Sequence, residues 1–139
     1  MKKLKEILII DDDVASQLIN RVVIQKMHIA ERIIIKSDGF QALTFLKEKC
    51  LVDGKLADEQ CSDLILLDIN MPVIHGFNFL EALKDMNWET VIRSKVIILS
   101  SSTNEQDFKK AATYGVKGYI VKPLTREKFL SVLGQDATS

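Results

Sequence analysis

Short runs of uninterrupted apolar residues alternate along this chain with stretches of helical periodicity, and few folds accommodate that alternation. The runs are Glu6 to Ile10, Arg32 to Ile35, Asp63 to Asp68, Lys95 to Ser100 and Gly118 to Val121. A half-exposed strand alternates apolar with polar residues, whereas a strand covered on both faces is apolar throughout. Helical segments fall between and after the runs. Val14 to Met27 places Val14, Leu18 and Val22 on one stripe, and Asp38 can cap a helix carrying Ala42, Leu43, Phe45 and Leu46. Phe77 to Met86 has Phe79, Leu80 and Leu83 at helical spacing. A capping box of Thr103 with Gln106, or Ser102 with Glu105, predicts a helix to about Tyr114, and Thr125 opens a last one to about Leu133.

Five βα units of this kind predict a parallel sheet with helices on both faces. Right-handed crossovers then favour a flavodoxin-like doubly wound α/β fold, a five-stranded sheet in the order 2-1-3-4-5 with five helices. In such a sheet ligands bind beyond the carboxyl ends of the strands. The length of 139 residues suits one domain, read as 1–139 with its core over about 5–133 and no output segment after the last helix.

Four of the strand ends carry reactive or ligating groups. The first strand runs into Asp11-Asp12, the third into Asp68, the fourth into Ser100 and the fifth into Lys122-Pro123. Carboxylates brought together at one sheet edge repel unless a cation sits among them, and hard oxygen ligands suit Mg²⁺. Lys122 supplies a point charge for a phosphoryl oxygen, and the Ser100 hydroxyl supplies a hydrogen bond. Any one of these features is ordinary by itself, since paired aspartates cap turns and Lys-Pro makes one. Their conjunction at successive strand ends points to phosphoryl chemistry.

These segments resemble the receiver domain of two-component response regulators. The resemblance runs from about Lys5 to Leu133 and rests on Ile7-Leu8-Ile9-Ile10-Asp11-Asp12-Asp13, Leu64 to Pro72, Gly76, Ile98-Leu99-Ser100-Ser101 and Gly118 to Pro123. It implies that Asp68 is the phosphoacceptor. Asp11, Asp12, Asp68 and the backbone carbonyl of Asn70 would hold Mg²⁺. Ser100 would be the switch hydroxyl, Tyr119 the aromatic switch, and Lys122 the phosphoryl contact preceding a cis Lys122-Pro123 peptide. Asn70 and Ser102 would border the approach of water. The donor would be a sensor histidine kinase or a histidine phosphotransfer protein. A downstream protein would bind the face of the fourth helix, fifth strand and fifth helix.

Asp13 matches no ligand position and reads as a helix cap. His75 stands where the family is often acidic and reads as a surface loop residue; His28 reads as a surface or boundary residue. Ser100 replaces the commoner Thr and keeps its hydroxyl.

Several function classes are disfavoured. Lys plus Arg and Asp plus Glu number 19 each, so no basic field exists to hold nucleic acid. No stretch approaches the ~20 apolar residues of a membrane span, and no signal core is present, which predicts the cytoplasm. There Cys50 and Cys61 are expected as free thiols. The polar stretch from Lys47 to Ser62 reads as a solvated surface excursion. A constitutive docking module would have little use for the full set of site residues. A dehalogenase-type phosphatase needs a second Asp where Asn70 stands. Flavin or dinucleotide binding lacks its Gly-rich loop after the first strand. The chain is therefore read as a signalling phosphoacceptor and not as an enzyme acting on a separate substrate.

Overall fold

A computed structural model describes residues 3–71 and 76–134. His75, Pro72 and the tail beyond Gly134 lie outside the described residues. The main sheet contains β1 (Leu4–Ile10), β2 (Ala30–Lys36), β5 (Leu64–Asp68), β6 (Val96–Ser100) and β7 (Gly118–Val121) in the order β2-β1-β5-β6-β7. All neighbouring pairs in it are parallel. Counting only these strands, the order is 2-1-3-4-5, as the βα alternation predicts. A separate hairpin of two-residue strands, β3 (Leu51–Val52) and β4 (Lys55–Leu56), lies in the connection leading to β5.

The helices are α1 (Val14–Met27), α2 (Gly39–Cys50), α3 (Gly76–Asp85), α4 (Glu89–Lys95), α5 (Glu105–Tyr114) and α6 (Arg126–Val132). Their packing leaves every residue of β5 and β6 buried. One core layer joins Leu8, Ile10, Leu46, Leu67, Phe79, Leu83 and Ile98, and the other joins Ile7, Ile9, Ile24, Leu66, Leu99 and Phe129. Alternate residues of each strand feed opposite layers, as the period of two requires. Each fully buried Leu or Ile contributes about 1.5–3 kcal/mol relative to exposure.

Three caps fall where expected. The Asp13 carboxylate accepts from Ser16 N at 3.0 Å, Asp38 from Gln41 N at 2.8 Å and the Thr125 hydroxyl from Lys128 N at 3.2 Å. His28 is exposed and closes α1 in the left-handed region at φ 53°.

Other expectations are corrected. Six α-helices rather than five occur among the described residues, because α4 buries Val91, Ile92 and Lys95 between α3 and β6. Lys95 therefore ends a helix instead of opening a strand. The cap of α5 is Asn104, whose side chain accepts from Gln106 N at 2.8 Å; neither proposed capping box forms. Val14 and Leu18 are 75% and 60% exposed, and α1 buries Ser16, Asn20 and Ile24 instead. The cap at Asp13 sets the phase of the helix, and that phase turns the Val14 stripe to solvent.

Cys50 and Cys61 are joined in a disulfide, contrary to the expectation of free thiols. Cys50 ends α2 and Cys61 precedes β5, so packing of α2 on the sheet brings their Cα atoms to 4.7 Å. The connection between them is solvated at Asp53, Gly54, Lys55 and Glu59, but its ends are fixed. Lys95 Nζ donates to the Asp58 carbonyl at 2.7 Å and lies 3.2 Å from the Asp58 carboxylate. At the same edge of the sheet the buried Glu6 carboxylate accepts from the Ser62 hydroxyl at 2.6 Å and pairs with Arg32 and Lys49. A carboxylate so deeply buried is tolerated because each oxygen has a partner.

Candidate phosphoacceptor site

The carboxyl ends of β1, β5, β6 and β7 converge on one edge of the sheet. Asp11 follows β1 and is buried; Asp12, next to it, is exposed. Asp68 is the last residue of β5 and is only 3% exposed. One carboxylate oxygen from each of Asp11, Asp12 and Asp68 lies within 4.8 Å of the others. Lys122, just past β7, reaches into the cluster, with Nζ 3.4 Å from Asp11 Oδ2 and 3.4 Å from Asp68 Oδ2. The Lys122–Pro123 peptide is cis.

One ammonium among three carboxylates leaves the site net negative. Burial pushes the Asp68 carboxyl above its usual range, opposed by the Asn70 N–H and by the Lys122 charge, while the neighbouring Asp11 raises it further. A divalent cation would relieve this charge excess, and three oxygens at this spacing fit the hard-ligand preference of Mg²⁺ or Mn²⁺. The donor set is therefore suited to such an ion.

Local chemistry fixes each group. Asn70 N donates to Asp68 Oδ1 at 2.9 Å, which turns the carboxylate in the first step of the loop. Asp13 N donates to Asp11 Oδ1 at 2.9 Å, and the Ser16 hydroxyl donates to Asp11 Oδ2. Gln17 Nε2 donates to the Asp11 carbonyl at 2.6 Å. Ser16 and Gln17 escaped the sequence reading. Their signal was present as two adjacent polar residues in the first turn of α1, but their contact with Asp11 depends on how α1 leaves the strand.

Ser100 ends β6 and is fully buried. Its Oγ accepts from Ser102 N at 2.9 Å and lies 3.3 Å from Asn70 Nδ2. With both lone pairs engaged, its proton is free to be donated. Tyr119 lies in β7, half-buried, with its ring 4.2 Å from that of Phe108 and its hydroxyl 3.4 Å from the Ser102 carbonyl. Thus Asp11, Asp12, Asp68, Asn70, Ser100 and Lys122 meet at one place, and Tyr119 stands beside it through Ser102.

Comparison with known proteins places this geometry in a family. The family model for the response regulator receiver domain matches residues 7–133. The chemotaxis protein CheY of Treponema pallidum is 34% identical over 114 residues, covering 78% of this chain and 75% of that protein. The nitrate/nitrite response regulator NarL of Escherichia coli is 34% identical over 83 residues, 60% of this chain, which spans only 37% of NarL. A two-component response regulator from Cytophaga hutchinsonii superimposes with a TM-score of 0.83 at 30% identity, covering 96% of both chains. The Mn²⁺-bound form of the response regulator Rcp1 gives a TM-score of 0.68 at 29% identity, with 94% of this chain and 90% of that one covered. Among the described residues no helix is long and apolar enough to cross a membrane. Family model, relatives and geometry agree, and the chain belongs to the response regulator receiver domains, the phosphorylation-dependent signalling modules of two-component systems.

Proposed function

We propose that Asp68 accepts a phosphoryl group from a phosphohistidine on a sensor histidine kinase or a histidine phosphotransfer protein. The observation that carries this reading is the placement of a buried Asp68 carboxylate between the Lys122 ammonium and the Asp11–Asp12 pair at the carboxyl edge of the sheet.

Asp11, Asp12, Asp68 and the Asn70 carbonyl would hold Mg²⁺. When bound, this ion neutralises charge on the phosphoryl oxygens and orients them for in-line displacement. The chain's own residues do the rest. An Asp68 carboxylate oxygen attacks phosphorus while the bond from phosphorus to the donor imidazole nitrogen breaks, and the imidazole leaves with the bonding pair. Lys122 stabilises the equatorial oxygens, and positioning of this kind supplies most of the acceleration in phosphoryl transfer.

The output follows from one hydroxyl. The Ser100 proton turns to a phosphoryl oxygen, the Ser100–Ser102 contact loosens, and Tyr119 gains room to rotate inward. The face of α5, β7 and α6, the fourth helix, fifth strand and fifth helix of the five-unit count, then changes shape for a downstream protein. Exposed Phe108, packed on Tyr119, lies within that face. The balance of 19 basic and 19 acidic residues supports a protein partner over direct nucleic-acid binding. We place the protein in the cytoplasm, where the deep burial of Cys50 and Cys61 shields their bond from small thiols.

Phosphoramidate, a small donor with a phosphorus–nitrogen bond, tests the transfer directly. Incubation with Mg²⁺ is expected to add one phosphoryl group per chain that is labile to both acid and base and is released by neutral hydroxylamine, as an acyl phosphate is. Absence of transfer, or a phosphoryl group stable to hydroxylamine, would contradict the assignment.

A further inference from the structure

Lys122 meets Asp68 only if the turn after β7 holds it there, and Pro123 leaves that turn short of a donor. Proline carries no N–H, so the peptide group after Lys122 cannot be tied to the sheet through its nitrogen. The peptide group before Lys122 is tied on one side, where Lys122 N donates to the Ser100 carbonyl at 2.7 Å. The carbonyl of that same peptide group, from Val121, points the opposite way, to the outer edge of the sheet, where no strand follows β7. Lys128 supplies what is missing. Its Nζ donates to the Val121 carbonyl at 2.8 Å and to the Pro123 carbonyl at 3.1 Å, so one ammonium bridges the carbonyls on either side of Lys122.

The helix does not account for this lysine. Lys128 is the third residue of α6, at the positive end of the helix dipole, where acidic side chains are favoured and basic ones are not. Its side chain runs back over the preceding turn, the direction a helix gives its side chains. Among the described residues it forms no ion pair.

We propose that Lys128 is a positioning residue for phosphoryl transfer, clamping the backbone around Lys122 so that the Lys122 ammonium meets Asp68. Lys122 Nζ stands 3.4 Å from both Asp68 Oδ2 and Asp11 Oδ2, longer than a tight charge-assisted bond, so a small displacement forfeits either contact. Without Lys128 the turn hangs on the Lys122 N bond to Ser100 and on buried Leu124, and the segment between them is released. The inference rests on Asp68 being the acceptor, and it assigns to Lys128 a role that acts only through Lys122.

The test compares the wild type with Lys128→Met, Lys128→Ala and Lys128→Arg, and repeats Lys128→Met in the Lys122→Ala background. The initial rate of phosphorylation by acetyl phosphate and Mg²⁺ is followed by intact mass. Lys128→Met and Lys128→Ala are expected to slow it about three- to tenfold, by removing hydrogen bonds that fix a charge donor in place. Lys128→Arg, which can still donate to two carbonyls, should restore the rate. Lys128→Met should change nothing further where Lys122 is already Ala, whereas a loss of stability alone would slow both backgrounds alike. An unchanged rate in Lys128→Met and Lys128→Ala, or an equal slowing with and without Lys122, overturns the proposal. The backbone amide resonance of Lys122 in the unphosphorylated protein gives a readout independent of transfer. It should move in Lys128→Met and return in Lys128→Arg, and an unmoved resonance in Lys128→Met also overturns the role. Failure of the wild type to take up a phosphoryl group would instead refute Asp68 as acceptor, while the resonance still decides whether Lys128 holds Lys122.

Discussion

Adding Mg²⁺ should raise the thermal stability of this chain, and the site geometry sets the scale. Three carboxylate oxygens lie within 4.8 Å of one another, with one ammonium 3.4 Å from two of them. Two unit charges 4.8 Å apart repel by about 3.5 kcal/mol at an effective dielectric constant near 20. Lys122 offsets the repulsion between Asp11 and Asp68, but it carries one charge against three. The folded protein therefore holds a cation site that the unfolded chain, with its carboxylates dispersed, does not. At a free Mg²⁺ concentration one hundred times the dissociation constant, the native state gains about 2.7 kcal/mol. For a domain of this size that corresponds to a rise in Tm of roughly 8–10 °C. The assay is thermal unfolding followed by circular dichroism, with Mg²⁺ and then with excess EDTA, on the wild type and on Asp11→Asn/Asp12→Asn. The wild type should show the rise and the variant should lose it. In EDTA, the variant should be at least as stable as the wild type, because it has shed repulsive charge. An unchanged wild-type Tm, or an equal rise in the variant, would refute the electrostatic reasoning.

Other outcomes follow from separate features. Reduction of Cys50–Cys61, which are separated by 11 positions, frees a loop whose closure is worth about 3 kcal/mol in the chain-entropy picture. The urea midpoint should fall accordingly once the bond has been reduced by dithiothreitol in the unfolded chain, and a midpoint that does not move in protein shown by thiol titration to carry two free thiols would show that the bond adds nothing. Lys122→Ala should slow phosphorylation by acetyl phosphate about 10²–10³-fold, the cost of removing one preorganised charge donor. A loss below tenfold in the initial rate of mass gain would remove Lys122 from the mechanism. Burial, the hydrogen bond to Glu81 and the charges of Glu81 and Asp85 push the Tyr114 hydroxyl up to about 12. The folded state thus holds its proton longer than the unfolded chain, and the linked stability is present below pH 10 and lost as pH rises through 12. Ultraviolet titration should show one of the two tyrosines ionising near the higher value. Tyr114→Phe should abolish that late step, and its persistence would refute the assignment.

The sheet and the acidic site were legible in the sequence because both depend on strand ends. Runs such as Leu64-Ile65-Leu66-Leu67 can be satisfied only in a strand covered on both sides, and the next residue, Asp68, must then emerge at the carboxyl edge. Asp11, Ser100 and Lys122 follow by the same logic. What the sequence concealed depends on phase and on proximity in space. The helix α4 is seven residues long and its capping residue, Trp88, makes no side-chain cap hydrogen bond, so neither length nor capping announces it. The exposed face of α1 carries Val14 and Leu18, while the buried face carries Ser16 and Asn20, reversing the usual sorting of polar and apolar residues near a site. Ser16 is buried because it serves Asp11. The disulfide was hidden because the compartment argument favoured thiols, whereas the return of the chain from α2 to β5 places Cys50 beside Cys61. The role assigned to Asn104 shows a subtler competition. Ser102 could cap a helix, but its hydroxyl accepts from Asn104 N at 2.9 Å, which moves the start of α5 forward to Glu105.

The central claim, that Asp68 is the phosphoacceptor, is tested most directly by intact mass after incubation with acetyl phosphate and Mg²⁺. The wild type should gain the mass of one phosphoryl group, and Asp68→Ala should gain none. No gain in the wild type, or an equal gain in Asp68→Ala, would contradict the account.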